Sequence, residues 1–324
     1  MKKFLFVGDT NGNTGPANVN KGIVANLSDA FCIADSVNKV KKYINAFIGV
    51  VRCKVIVVSG MSKVGVYAIK LAKLLNKKTV YIMHGCYEME CALNESAVDE
   101  NSLQMEHYIL HSVDLLLPVS ERYSQIIQEK YPFCKGKTAY LHNGVEKINL
   151  EHGKVQREKG RIIAVGGDRK LKNNITVAKA MAKLGSDRVL TVYGHLYHPN
   201  NLPQGKNIEF KGLVPQTQLY EEMQKSELYI LNSVYEPFAL SVYDALLCGC
   251  SVLITNVAGA LELLNVTEHD VIFDPMDENE IANKIDYLLE NPNNTRLMSS
   301  LDFNKISYKA EVEKLENYCN QLCN

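Results

Sequence analysis

Two carboxylates, three cations and a histidine are the residues of this chain best placed to do chemistry. Glu236 precedes Pro237-Phe238-Ala239-Leu240, and Asp244 follows eight positions after Glu236, inside an apolar run that ends at Gly249. Upstream, Gly166-Gly167-Asp168-Arg169-Lys170-Leu171-Lys172-Asn173-Asn174 joins paired glycines to three cations and opens a helical pattern. Arg169 offers a planar fork to phosphate oxygens and Lys172 a point charge, while a helix start adds free backbone N–H groups. Such a loop either holds a phosphate-like anion or is a solvated basic turn. His84 closes the apolar pattern of residues 79–83 just before Gly85. A histidine so placed either faces a ligand or is structural.

These groups need elements to hold them. Strand patterns fall at residues 3–7, 30–34, 54–59, 79–83, 115–119 and 138–141, with helical spacing of apolar residues at 19–27, 37–51, 63–75, 103–111 and 121–130 between them. The polar stretch 146–159, entered through the Asn143-Gly144 turn, is the expected linker. A second alternation has strands at 162–166, 189–194, 208–210, 228–231, 252–255 and 271–273. The pattern predicts an α/β protein of two Rossmann-like, doubly wound domains, 1–149 and 150–304, followed by an amphipathic helix at about 305–322. Glu236 then lies in a strand–loop–helix–strand unit of a parallel sheet, where ligands collect at the ends of strands.

Composition narrows the class. A chain of 324 residues with 46% hydrophobic and 22% charged residues, and no apolar run of 18, is expected to be globular, soluble and cytoplasmic. Nine cysteines without a C-x-x-C pair suggest neither a disulfide framework nor a zinc site, and Cys248 and Cys250 read as small buried apolar residues. Overall charge is balanced, but residues 1–150 carry 18 Lys and Arg against 13 Asp and Glu, and the remainder 18 against 23, so an anionic partner is expected at the first half. Lys39, Lys41 and Lys42 begin a basic amphipathic helix that either meets an anionic membrane surface, at the inner face, or is simply solvated. Gly8, Gly12 and Gly15 with Asp35 faintly suggest a dinucleotide fingerprint, but the glycine spacing is not G-x-G-x-x-G.

Read together with Ala258-Gly259-Ala260-Leu261-Glu262 and Phe273-Asp274-Pro275-Met276-Asp277, the 236–249 block resembles the donor-site block of the retaining, nucleotide-sugar-dependent glycosyltransferases of family 4, the glycosyl transferases group 1, which have the GT-B fold. Further similar landmarks run along most of the chain: Asn13-Thr14-Gly15-Pro16 after the first strand, Pro118-Val119-Ser120, His142-Asn143-Gly144-Val145, Tyr193-Gly194 and Gly212-Leu213-Val214. The resemblance implies two domains facing a cleft, an acceptor-side one first and a donor-binding one second, with the last helix crossing back to the first.

It also implies roles. Arg169 and Lys172 would hold the diphosphate, with Lys170 an alternative because the spacing is shorter than in most relatives. Gly15 and Gly167 would belong to the loops around the donor, Val214 would lie near the base, and the amides of Phe238, Ala239 and Leu240 would meet the phosphates. Glu236 and His84 would bind the donor sugar. Asp244 stands where the family has a glutamate for the ribose hydroxyls, although Ser241 with Asp244 three residues on also resembles a capping box. Ala239 stands where most relatives have glycine.

The reaction so implied is metal-independent, retaining transfer from a nucleoside-diphosphate sugar to a glycan or lipid-linked acceptor, as in surface polysaccharide or glycoconjugate assembly, with no cofactor and no nucleic acid. A degenerate binding subunit, suggested by Ala239 and Asp244, and a GT-B-like sugar-nucleotide epimerase are the alternatives.

Overall fold

The computed structural model describes residues 3–12, 14–148 and 155–323, so Asn13 and part of the expected linker, 149–154, lie outside the described residues. The chain divides into two compact units, one of Met1–Ala92, Ser96–Glu146 and Asp302–Asn324, the other of Leu93–Glu95 and Lys147–Leu301.

The first unit alternates β1 (Phe4–Gly8), α1 (Gly15–Asn26), β2 (Phe31–Ile33), α2 (Lys39–Arg52), β3 (Val55–Ser59), α3 (Lys63–Leu74), β4 (Lys78–Met83), α4 (Tyr87–Asn94), α5 (Glu100–Ser112), β5 (Leu115–Pro118) and α6 (Glu121–Lys130). Its strands pair in parallel in the order β2-β1-β3-β4-β5. β1 and β3 are buried at all five positions, as strands covered by helices on both faces must be, which is why FLFVG and VIVVS are nearly continuous apolar runs. The winding reverses between β1 and β3, so the loops that leave these two strands flank a crevice.

The second unit continues with β6 (Arg161–Val165), α7 (Asn174–Met181), β7 (Val189–Tyr193), β8 (Ile208–Lys211), α8 (Gln216–Lys225), β9 (Leu228–Leu231), α9 (Leu240–Leu247), β10 (Ser251–Thr255), β11 (Val271–Ile272), α10 (Glu278–Glu290) and α11 (Asn294–Ser299). The six parallel strands run β11-β10-β9-β6-β7-β8, and Ile162, Ala164, Leu190, Val192, Ile230 and Leu253 form the core with Val177, Ile281 and Ile285 from the covering helices. Here the reversal lies between β6 and β9, and the loops leaving these strands are the ones that carry Arg169, Lys172 and Glu236.

Two local expectations need correction, and one helix had no forerunner in the sequence pattern. Residues 138–141 form no strand; they make a single parallel bridge, Leu116 to Thr138, at the sheet edge. The last helix is broken into α12 (Phe303–Ile306) and α13 (Tyr308–Cys323), because Ser307 turns extended. Its hydroxyl accepts from Ala310 N at 3.3 Å, so the serine caps a new start. The α13 helix packs on α1 within the first unit, where Ser28 donates to Glu316 at 2.7 Å. Helix α4 was not expected: its first N–H groups, those of Tyr87 and Glu88, are accepted at 2.6 and 3.1 Å by Glu106, a buried carboxylate 18 or more positions away that no local pattern discloses.

Candidate functional site

The two glycines after β6 make the turn that the cations need. Gly166 has φ +117° and Gly167 φ +61°, and a Cβ on Gly166 would stand 2.6 Å from the Lys172 Cγ. Only glycine lets the loop fold beneath that side chain. Asp168, buried, accepts the backbone N–H groups of Tyr197 at 2.7 Å and His198 at 2.6 Å, tying the loop after β7 to the turn. Asn174 donates to Gly167 O at 2.9 Å, closing the turn from the helix side. Arg169, half-buried, leads into the short 3-10 turn Lys170–Lys172.

From the β9 side, Val234 N donates to Leu171 O at 2.9 Å, and Asn173 and Asn232 both donate to Pro275 O, at 2.6 and 2.9 Å. These bonds bring together Lys172 and Glu236, which form an ion pair although 64 residues separate them. Ser233 Oγ also donates to Glu236, at 3.3 Å. Lys170 instead pairs with Glu95, one of the three residues of Leu93–Glu95 that cluster with the second unit. Of the two lysines, Lys172 is therefore the one that stands at Glu236.

Helix α9 settles the competing reading of Ser241 and Asp244. Its N-cap is Ala239, with φ +80°, ψ +73° and no side-chain cap, and Ser241 lies inside the helix, where its hydroxyl accepts from Tyr229 at 2.7 Å. The capping box does not form. The Asp244 carboxyl is instead hydrogen-bonded to Tyr220 of α8, and burial pushes its pKa up to about 7 against that bond. Gln216 donates to the same tyrosine oxygen at 2.5 Å, which leaves the Tyr220 proton for Asp244. The Phe238 ring is buried 5.7 Å from Tyr243, so of this residue only the backbone can serve a ligand. Val214 is half-buried beyond β8, after the exposed Leu213.

In the first unit His84 stands at the end of β4, partly exposed, with Nε2 2.9 Å from Ser59 Oγ. Burial pulls its pKa down to about 4, so it is neutral near pH 7. Gly15 opens α1, whose N-cap Thr14 accepts from Ala17 N at 3.3 Å. Asp35 is spent locally: it accepts from Thr10 N at 3.2 Å and Asn11 at 3.1 Å and pairs with Lys42 at 2.9 Å. Burial pushes that carboxyl up, and the bonds from Thr10 and Lys42 more than offset it, so its net shift is downward. Lys42 is thereby drawn from the basic group it was expected to share with Lys39 and Lys41. Among the described residues no group of three or more His, Cys, Asp or Glu could hold a metal ion, and Cys248 and Cys250 are buried thiols.

Sequence reading passed over Asp168, Asn174, Asn232 and Tyr220, which shape this site by long-range bonds. The only signal at hand was the polar cluster itself, Asp168 and the Asn173-Asn174 pair beside the cations.

Comparison with known proteins adds likenesses in sequence and in fold. The family description glycosyl transferases group 1 matches residues 147–302. A Campylobacter jejuni N-acetylgalactosamine-N,N'-diacetylbacillosaminyl-diphospho-undecaprenol 4-alpha-N-acetylgalactosaminyltransferase is 24% identical over 237 residues, 69% of this chain and 64% of that protein. Agrobacterium fabrum mannosylfructose-phosphate synthase is 22% identical over 170 residues, 51% of this chain and 35% of that protein. The chain thus spans under two thirds of the length of either curated relative. Among solved structures, Anabaena HepE in complex with UDP superposes with a TM-score of 0.72 at 15% identity over 98% of this chain and 100% of the other. Sucrose-phosphate synthase from Thermosynechococcus elongatus gives 0.71 at 15% identity over 99% of each chain. Residues 147–302, the main stretch of the second unit, thus match the glycosyl transferases group 1, a family of glycosyltransferases, and the two parallel sheets of the chain have the fold of these GT-B-like neighbours.

Proposed function

We propose that the protein transfers a sugar from a nucleoside-diphosphate sugar, with retention of anomeric configuration and without a metal ion, to a glycan or lipid-linked acceptor in surface polysaccharide or glycoconjugate assembly. The observation that carries the reading is the Lys172–Glu236 pair at the β6/β9 switch point, a cation and a carboxylate fixed side by side by two stitched loops. In this reading Arg169 and Lys172 take the diphosphate, whose charge grows as the glycosidic bond breaks, and the first amides of α9 add their donors to the same oxygens. Glu236, released from Lys172 by the arriving phosphate, accepts the sugar hydroxyls. Asp244 accepts from the ribose, and His84 from a sugar hydroxyl. The acceptor hydroxyl attacks on the face of the leaving group, and a diphosphate oxygen takes its proton.

The solved Anabaena HepE complexes contain UDP, one of them with glucose, which makes UDP-sugars the first donors to try. The Campylobacter relative, named for a diphospho-undecaprenol substrate, makes a lipid-linked acceptor the first acceptor. A panel of UDP-, GDP- and ADP-sugars tests the reading: transfer supports it, formation of an epimer favours an isomerase, and binding without turnover favours a binding subunit.

Helix α2 supports contact with an anionic membrane surface. No helix among the described residues is long and apolar enough to cross a membrane. Val40 (69% exposed), Ile44 (52%), Phe47 and Val51 nevertheless line one exposed stripe of α2, with Lys39, Lys41 and Arg52 exposed beside them and no acidic residue on the helix. Lys39→Glu with Lys41→Glu should reduce binding to phosphatidylglycerol vesicles by about tenfold or more. Unchanged binding would remove the membrane from the account.

A further inference from the structure

The first unit holds a chain of buried polar groups that the mechanism above does not use. Asn20 of α1 is 1% exposed and Ser59, the last residue of β3, 4%. Asn20 Nδ2 donates to Asp9 O at 3.0 Å, Ser59 Oγ donates to Asn20 Oδ1 at 2.6 Å, and Ser59 Oγ lies 2.9 Å from His84 Nε2. The site is built for this amide: a Cβ on Gly8 would stand 2.9 Å from Asn20 Nδ2.

The direction of each proton follows. The Asp9 carbonyl can only accept, so the amide nitrogen of Asn20 must face it and the amide oxygen must face Ser59. A serine has one proton, and Asn20 Oδ1 takes it. Toward His84, Ser59 Oγ can therefore only accept, which requires the imidazole proton on Nε2. In a neutral ring the other nitrogen, Nδ1, is then a bare acceptor, and this buried atom has no partner among the described residues. An orphaned buried acceptor is costly, and among the described residues nothing relieves this one.

We propose that Asn20 and Ser59 are positioning residues that lock His84 in its Nε2–H tautomer, so that Nδ1 accepts a hydrogen bond from a sugar hydroxyl of the substrate. The inference rests on the role given to His84 above, and it adds the polarity of that role. His84 is an acceptor only, and its ligand must be a donor. The relay also ties His84 to Asp9, in the loop that leaves β1 beside the crevice of the first sheet.

Long-range 1H–15N correlation spectra of the imidazole, recorded on the full chain, read the tautomer directly. Wild type should show the Nε2–H form alone, and Ser59→Ala and Asn20→Ala a mixture of both. With UDP-glucose, or whichever UDP-sugar of the panel turns over, both variants should lose about five- to tenfold in kcat/KM, mainly through KM, as expected for one neutral hydrogen bond. Ser59→Thr, which keeps the hydroxyl, should retain wild-type tautomer and KM, and it guards against a loss that reflects only damaged packing. An Nδ1–H tautomer in wild type overturns the proposal. So does a Ser59→Ala enzyme with unchanged kcat/KM when His84→Ala is impaired. If His84→Ala keeps full kcat/KM, the role of His84 as a sugar ligand fails instead, and the spectra still decide the relay.

Discussion

The switch points of the two sheets differ in their electrostatics. At the switch point of the second, loops converge on full charges, Lys172 against Glu236, with half-buried Arg169 in the same cation loop, while burial pushes the Asp244 carboxyl of α9 up to about 7. At that of the first, the groups leading to His84 are neutral, an amide and a hydroxyl, and the histidine itself is held neutral. Charge is the tool for a diphosphate, which stays ionised and gains charge on leaving. Neutral dipoles of fixed direction are the tool for a hydroxyl, where an unpaired charge would cost more than the bond returns. The same fold supplies both because crevice loops differ freely while the apolar strands beneath them do not.

The comparison is broken most severely by removing charge from the second site. Lys172→Ala and Glu236→Ala should each lower transfer by about 100-fold or more, measured as kcat with a saturating UDP-sugar, while circular dichroism shows an unchanged fold. A variant that keeps wild-type turnover would break the assignment.

A smaller, signed effect is expected at Asp244. Its pKa is raised in the folded state, so between about pH 4 and pH 7 the unfolded chain ionises while the folded one does not, and stability falls as pH rises through that window. Asp244→Asn should therefore raise stability at pH 7.5 by about 1 kcal/mol or more and leave it unchanged near pH 4, read by denaturant melts. In the proposed ribose-binding role, the same variant should weaken nucleotide binding by about tenfold, since a neutral amide replaces a carboxylate acceptor. Equal effects on stability at both pH values would show that the carboxyl is not titrating there.

The smallest effect sharpens the backbone side of the site. Ala239 holds φ +80° at the start of α9, a conformation in which an L side chain costs about 1–2 kcal/mol. Ala239→Gly should raise stability by about 1 kcal/mol, and donor KM should fall or hold. A destabilised Ala239→Gly would mean that the methyl group packs better than the strain costs.

How much of this was legible depended on how local each cause is. Residues 228–231 and 121–130 emerge as β9 and α6 at the expected bounds, because continuous apolar runs and capped amphipathic stretches carry their own signal. The cation loop and Glu236 were legible as types in a pattern, but not their contact, which depends on Val234, Asn173 and Asn232 bonding across the turn. Ser241 and Asp244 misled for the same reason. S-x-x-D is a capping pattern only if the serine is the N-cap, and here the N-cap is Ala239, two residues earlier, while Tyr229 from the neighbouring strand donates to the serine hydroxyl. Helix α4 depends on a cap from Glu106, and the Asn20–Ser59–His84 relay joins three elements, so neither leaves a mark in any short window.

The central claim is that Lys172 addresses the diphosphate and Glu236 the sugar, each holding the other until the donor arrives. Calorimetric titration of UDP into wild type, Lys172→Ala and Glu236→Ala tests it most directly. The account predicts weaker UDP binding in Lys172→Ala, and in Glu236→Ala binding as tight as wild type or tighter, because the lysine is freed. Glu236→Ala losing UDP affinity as far as Lys172→Ala does would contradict it.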